Sequence, residues 1–232
     1  MLGTIDALLL GLAVFVGGHF ALASPALRDP AVKRIGEERF RGLYALVALA
    51  ALLWTILAYG DAPYLEVWAP PAWTRWIPNL AMPVAAVLLV AGITTRSPTA
   101  VGGEGVLDDP HAIRGVLTIT RHPFLNAVGL WALAHLAANG DLASMLLFAG
   151  IAVLAYGGMP SLDAKMRRRV ASAWGPVAMT TSRTPFLAAL QGRVAIDWRG
   201  IGLWRVAGGL ALWVALYGLH PMYTGVWPHP AL

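Results

Sequence analysis

Six apolar runs, at roughly residues 3–23, 43–59, 76–94, 123–138, 142–160 and 201–219, leave this chain few folds to adopt. A helix needs about 17–25 apolar residues to cross a hydrocarbon core, and most of these runs reach that length. The fourth is short and relies on its flanks. Runs such as "ALLLGLAVFV" and "LYALVALAALLW" show no alternation and are too long for strands, so they read as helices. A barrel would need short segments of alternating polarity. The sequence therefore predicts an all-α fold, an integral membrane bundle of about six transmembrane helices with interfacial amphipathic segments. Charged residues make up 12% of the 232, about half the share usual in soluble domains. No polar linker divides the chain, so residues 1–232 read as a single transmembrane domain.

Charge placement sets the expected orientation. Every Lys and Arg except Arg75 falls in the segments 24–42, 95–122 and 160–205, while Asp61, Glu66 and Asp141 lie on the opposite side. The positive-inside rule makes the basic side cytoplasmic. Six spans then place both termini outside, periplasmic if the membrane is a bacterial inner (cell) membrane. The first run has Asp6 and no basic residue before it, so "ALAS" at 21–24 reads as part of an uncleaved span. The net charge of +5 faces lipid headgroups and gives no nucleic-acid site. The lipid bilayer is the first partner.

Between the spans, residues 25–42 read as a short amphipathic helix with Asp29 as cap and Pro30 in its first turn. Pro78 and Pro83 are expected to bend or shift the start of the third span. Residues 161–174, "SLDAKMRRRVASAW", read as a basic stretch lying along the inner interface.

With no cysteine, thiolate chemistry is excluded and the histidines carry the argument. His19 ends "VFVGGH", where Gly11, Phe15, His19 and Ala23 share a helical face and small residues allow a flat ring or a helix to approach. It serves either as a ligand or as an interhelical hydrogen bond. Trp131, His135 and Asn139 share another face. Asn139 reads as a helix end before Gly140, and His135 as a ligand or a water-satisfied core residue. In "TRHP", Arg121 and His122 at a helix start either hold a carboxylate or phosphate or respectively snorkel and cap. His111 reads as exposed, and His220 and His229, each before a proline, as turn residues. Asp6 is the one acid within the expected spans, which leaves a proton pathway little support. Neutral imidazoles suit haem iron between helices. By helical depth at about 1.5 Å per residue, His19 matches His122 and His135 matches His220.

The stretches "GGHFALAS" (17–24), "AIRGVLTITRHPFLNAVGLWALAHLAANGD" (112–141), "AWGPVAMTTSRTPFLAALQGR" (173–193) and "GLHPMYTGVWP" (218–228) resemble the NnrU family of bacterial membrane proteins. That family is itself similar to the plant zeta-carotene isomerases. The resemblance implies a role in denitrification, in nitrite and nitric oxide metabolism, with a membrane protein partner there. It leaves open enzyme, sensor or assembly factor. Resemblance to the isomerases implies haem b held by His19 and His135, and a long apolar, carotenoid-like small-molecule substrate. Ala132 stands where those isomerases carry a cysteine, so a His/Cys ligand exchange is closed to this chain. A haem-dependent isomerase or oxidoreductase and a cofactor-free assembly factor are the alternatives. "RHP" also resembles isoprenylcysteine-type methyltransferases, but "AKMRRR" replaces their acidic pair and Phe124 their tyrosine.

Overall fold

The structure is a computed structural model that describes residues 3–99, 105, 106, 109 and 112–229. His111 lies outside the described residues. In chain order the helices are α1 (Ile5–Leu12), a π turn (Ala13–Gly17), α2 (Gly18–Ala23), α3 (Pro25–Ile35), α4 (Glu37–Gly60) and α5 (Trp76–Thr94). Then follow α6 (Val116–Ile119), α7 (Pro123–Ala138), α8 (Leu142–Val170), α9 (Trp174–Thr180), α10 (Leu187–Leu190), α11 (Trp198–Ile201) and α12 (Leu203–Thr224). Among the described residues there is no strand, only an isolated antiparallel bridge between Glu66 and Asp141.

All six expected spans are helical. Among the described residues, four helical stretches are long and apolar enough to cross a membrane: Ile5–Ala23, Glu37–Gly60, Ala72–Thr94 and Leu142–Thr180. The fourth expected span, α7, has 16 residues, about 24 Å of helix. The sixth coincides with the 22-residue α12. Leu46, Leu49, Leu53, Ile56 and Leu57 of α4 are more than half exposed. On a multi-pass membrane protein that surface is covered by lipid, which is as apolar as leucine.

The residues fall into two compact units, Met1–Pro70 with Asn139–Leu154, and Pro71–Ala138 with Ala155–Leu232. In the first unit the Thr4 hydroxyl accepts the Ala7 N–H at 3.1 Å and starts α1. Gly11 admits α4 so closely that a Cβ there would lie 2.8 Å from Trp54 and 2.9 Å from Thr55. The Trp54 indole donates across this contact to the Ala7 carbonyl at 3.0 Å. Leu8, Leu12, Ala58 and Ala143 form the buried core beneath it.

In the second unit α5 packs against α7 and α12. Small residues again set the spacing. A Cβ at Gly209 would lie 2.5 Å from the Val87 backbone, and one at Gly129 2.6 Å from the Tyr156 ring.

Three local expectations are corrected. The helix expected over 25–42 starts at Pro25, with Ser24 as its N-cap, and carries Pro30 in its interior. Proline is best placed at N1, and Pro25 takes that position ahead of Pro30. Gly36, at φ 85°, then ends α3. Residues 161–170 are not a separate interfacial stretch. They extend α8 without interruption through Pro160, and the break comes at Ala171, at φ 42°. Finally, the π turn at Ala13–Gly17 interrupts the regular 3.6-residue repeat assumed for the face Gly11, Phe15, His19 and Ala23, although Phe15 and His19 stay in contact across it.

A short clasp closes the second unit near its loops. The Asp197 carboxylate accepts the Gly115 N–H at 2.9 Å and the Gly200 N–H at 2.8 Å. Those two amides hold its carboxyl below the ordinary carboxylate value. A depressed carboxyl stabilises the fold above its unfolded pKa of about 3.9, and that contribution is lost as pH falls through the native value. The protection factor of the Gly115 amide, its intrinsic exchange rate divided by the observed rate at each pH, should therefore be high at neutral pH and fall in acid. In Asp197→Asn that protection factor should be low throughout and nearly independent of pH.

Candidate functional site

His19 lies in the first unit, in the first turn of α2. Its Nδ1 is 2.6 Å from the Phe15 carbonyl, which can only accept, so the proton is on Nδ1 and the lone pair on Nε2. The expected interhelical bond is thus replaced by one within its own helical segment. Around the ring, Phe15 and Tyr44 make edge contacts with centroids 4.7 and 5.5 Å away. Nothing lies within 4 Å of where Cβ atoms would sit on Gly17 and Gly18.

His135 lies in the second unit, on α7, with Nδ1 donating to the Trp131 carbonyl at 2.9 Å and the Trp131 ring 5.4 Å away. The tautomer matches that of His19. Ala132, beside it, is completely buried. His220 lies on α12 of the same unit. It is not a turn residue: it sits inside α12, and its Nδ1 reaches the Val226 carbonyl at 2.7 Å. His229 lines a mainly apolar groove of about 360 Å³ with Trp76, Trp213 and Tyr217. Asn139 is the first residue beyond α7, and Gly140 does not take the left-handed conformation of a helix cap.

Arg121 and His122 meet at a buried polar node. The carboxylate they hold belongs to the same chain. Arg121 grips Asp163 with Nε at 3.0 Å and Nη2 at 2.7 Å, and donates from Nη1 to the Thr181 carbonyl at 3.0 Å. His122 Nε2 is 2.8 Å from the other face of the same carboxylate, at Oδ1. Arg183 stands 3.6 Å from Oδ2. Asn126 donates to Thr120 Oγ1 and to the carbonyls of His122 and Arg183, tying α7 to the 181–184 turn. Arg121 therefore does not snorkel, and His122 does not cap with its side chain. Trp174 packs 6.0 Å from the guanidinium, and its buried indole N–H finds no acceptor among the described residues.

Asp163 is the member of this polar node that the sequence did not mark. It was assigned to an interfacial stretch beyond the fifth span, whereas it lies inside α8 and is 6% exposed. The signal was Arg121 itself: a cation at the start of a buried helix requires a counter-charge.

Taken one at a time, His19 and His135 each suit ligation of an iron porphyrin. A ligating histidine generally donates its other ring N–H to a carbonyl or carboxylate, which fixes the ring and raises its basicity. His19 and His135 both have that arrangement. Among the described residues no group of three or more His, Asp or Glu is assembled to hold a bare metal ion.

Residues 7–228 match the model of the family described as NnrU protein. The chain is also similar to 15-cis-zeta-carotene isomerase, chloroplastic, from Arabidopsis thaliana, at 25% identity over 228 residues. The aligned region covers 94% of this chain and 60% of that relative, so the chain spans about three-fifths of the relative's length. No solved structure matches. A chain of apolar helices matched over nearly its whole length by one family model belongs to the NnrU family.

Proposed function

We propose that this protein is a membrane haem b protein with isomerase-type activity on a long apolar substrate drawn from the bilayer. The observation that carries the reading is the shared tautomer of His19 and His135, each set by a carbonyl four residues earlier. Similarity to a protein named for a cis-carotene substrate supports the substrate class. When bound, the haem would supply an iron able to polarise or exchange electrons with a conjugated double bond. The chain's own part is to present Nε2 at His19 and at His135, each on an apolar helix of its own unit. Ala132 offers no thiolate, so both ligand positions stay with imidazole. The distribution of basic residues supports an orientation with both termini on the side opposite the basic segments.

The test is the absorption spectrum of protein purified in detergent after expression with excess haem. A Soret band is expected, and His19→Ala and His135→Ala should each lose most of the bound haem. An absent band in the wild type, or unchanged spectra in both variants, overturns the reading. Incubation with a 15-cis polyene should yield the trans product on chromatography. If the polyene is unchanged while nitric oxide shifts the Soret band, the nitrogen-oxide role replaces isomerisation, and the membrane partner in that metabolism becomes the next target.

A further inference from the structure

Taking the haem reading as its basis, we propose that Tyr44 is a positioning residue that fixes the His19 ring for iron, acting with the π turn that precedes it. Three observations converge on this ring. The π turn Ala13–Gly17 ends at the residue before Gly18–His19, and single π turns within α-helices recur at functional sites because they redirect the side chains that follow. The Nδ1 bond to Phe15 at 2.6 Å selects the Nδ1–H tautomer for as long as the ring keeps this orientation. The rings of Phe15 and Tyr44 then meet it edge to face, at interplanar angles of 71° and 79°, an arrangement favoured by the aromatic quadrupole.

Phe15 comes from the π turn itself, so it moves with His19. Tyr44 comes from α4 and is independently held. Arg28 grips Glu37 across the Gly36 break with Nη2 at 2.6 Å from Oε1. The same guanidinium lies 5.8 Å from the Phe40 ring, and Phe40 lies 6.4 Å from Tyr44. A surface ion pair thus fixes the first turns of α4, and α4 presents a fixed ring to His19. Gly17 and Gly18 leave the adjacent flank uncrowded. His19 is accordingly held in one orientation before any ligand arrives.

The edge contact needs an aromatic ring but not a hydroxyl. Tyr44→Phe should keep it, and Tyr44→Leu should fill similar volume without it. In full-length apo-protein, nitrogen NMR of labelled histidine should show one Nδ1–H tautomer for His19 in the wild type and in Tyr44→Phe. Tyr44→Leu should show exchange between tautomers. On titration with haem, Tyr44→Leu should bind about tenfold more weakly, the scale typical of groups that orient a metal ligand, while Tyr44→Phe matches the wild type. Thermal unfolding of the two apo-variants should agree, separating positioning from folding. If Tyr44→Leu keeps one tautomer and wild-type haem affinity, the positioning role is overturned. If the wild type takes up no haem, the haem reading itself falls, and the tautomer measurement still decides whether Tyr44 orders His19.

Discussion

Asp163→Ala is expected to destabilise the protein by about 3–5 kcal/mol, the usual consequence of removing one partner from a buried ion pair. The change strands Arg121, whose side chain is 12% exposed and whose guanidinium spends two of its donors on this carboxylate. It also strips His122 of its Nε2 partner in a site where the histidine is 3% exposed. Asp163→Asn keeps an oxygen acceptor but no charge, so it should fall between alanine and the wild type. Removing both partners, as in Arg121→Met with Asp163→Leu, leaves no uncompensated charge and should recover much of the loss. Tryptophan fluorescence during thermal unfolding in detergent would measure all four proteins. A loss below about 0.5 kcal/mol in Asp163→Ala, the range of ordinary surface changes, would show that the node contributes nothing to folding.

Much of the fold was legible because membrane spans announce themselves by length and composition, properties that need no partner. Both ends of α5 and α7, the C-terminal end of α4 to within one residue and the start of α8 follow from that signal alone. The local errors share one cause, which is that each turned on a contact distant in sequence or a break in regular geometry. Asp163 was invisible because its partners Arg121 and His122 lie about forty residues earlier, and because a basic run beside it suggested an interface. The π turn was invisible because helical-face arguments assume an uninterrupted 3.6-residue repeat. At the candidate site the identities of His19 and His135 were readable, while the carbonyls and rings that orient them were not. Tyr44 belongs to that second class: nothing in its own segment marks it, and only the packing of α4 beside His19 does.

Gly140→Val should be the most damaging change in the loops, by about 2–4 kcal/mol when lost hydrogen bonds and overpacking are combined. Gly140 follows Asn139, the residue read as ending the helix, and its own backbone is not left-handed. What excludes a side chain there is the neighbour: a Cβ would lie 1.9 Å from the Trp68 carbonyl and 2.7 Å from Pro70. The same crossing carries the Val67 and Trp68 N–H groups to the Gly140 carbonyl at 2.8 and 3.2 Å, and Leu142 N–H to Leu65 at 2.8 Å. Forcing the strands of loop apart breaks these bonds together. Gly17→Ala makes the opposite prediction. Gly17 has helical angles, φ −63° and ψ −42°, and nothing lies within 4 Å of its added Cβ. Alanine there should be neutral or stabilise by up to about 1 kcal/mol, the helix-propensity difference between the two residues. Unfolding measured side by side tests whether steric exclusion, rather than glycine itself, is what each position requires. Equal losses in the two variants would contradict it, because only one of them has a backbone carbonyl in the way.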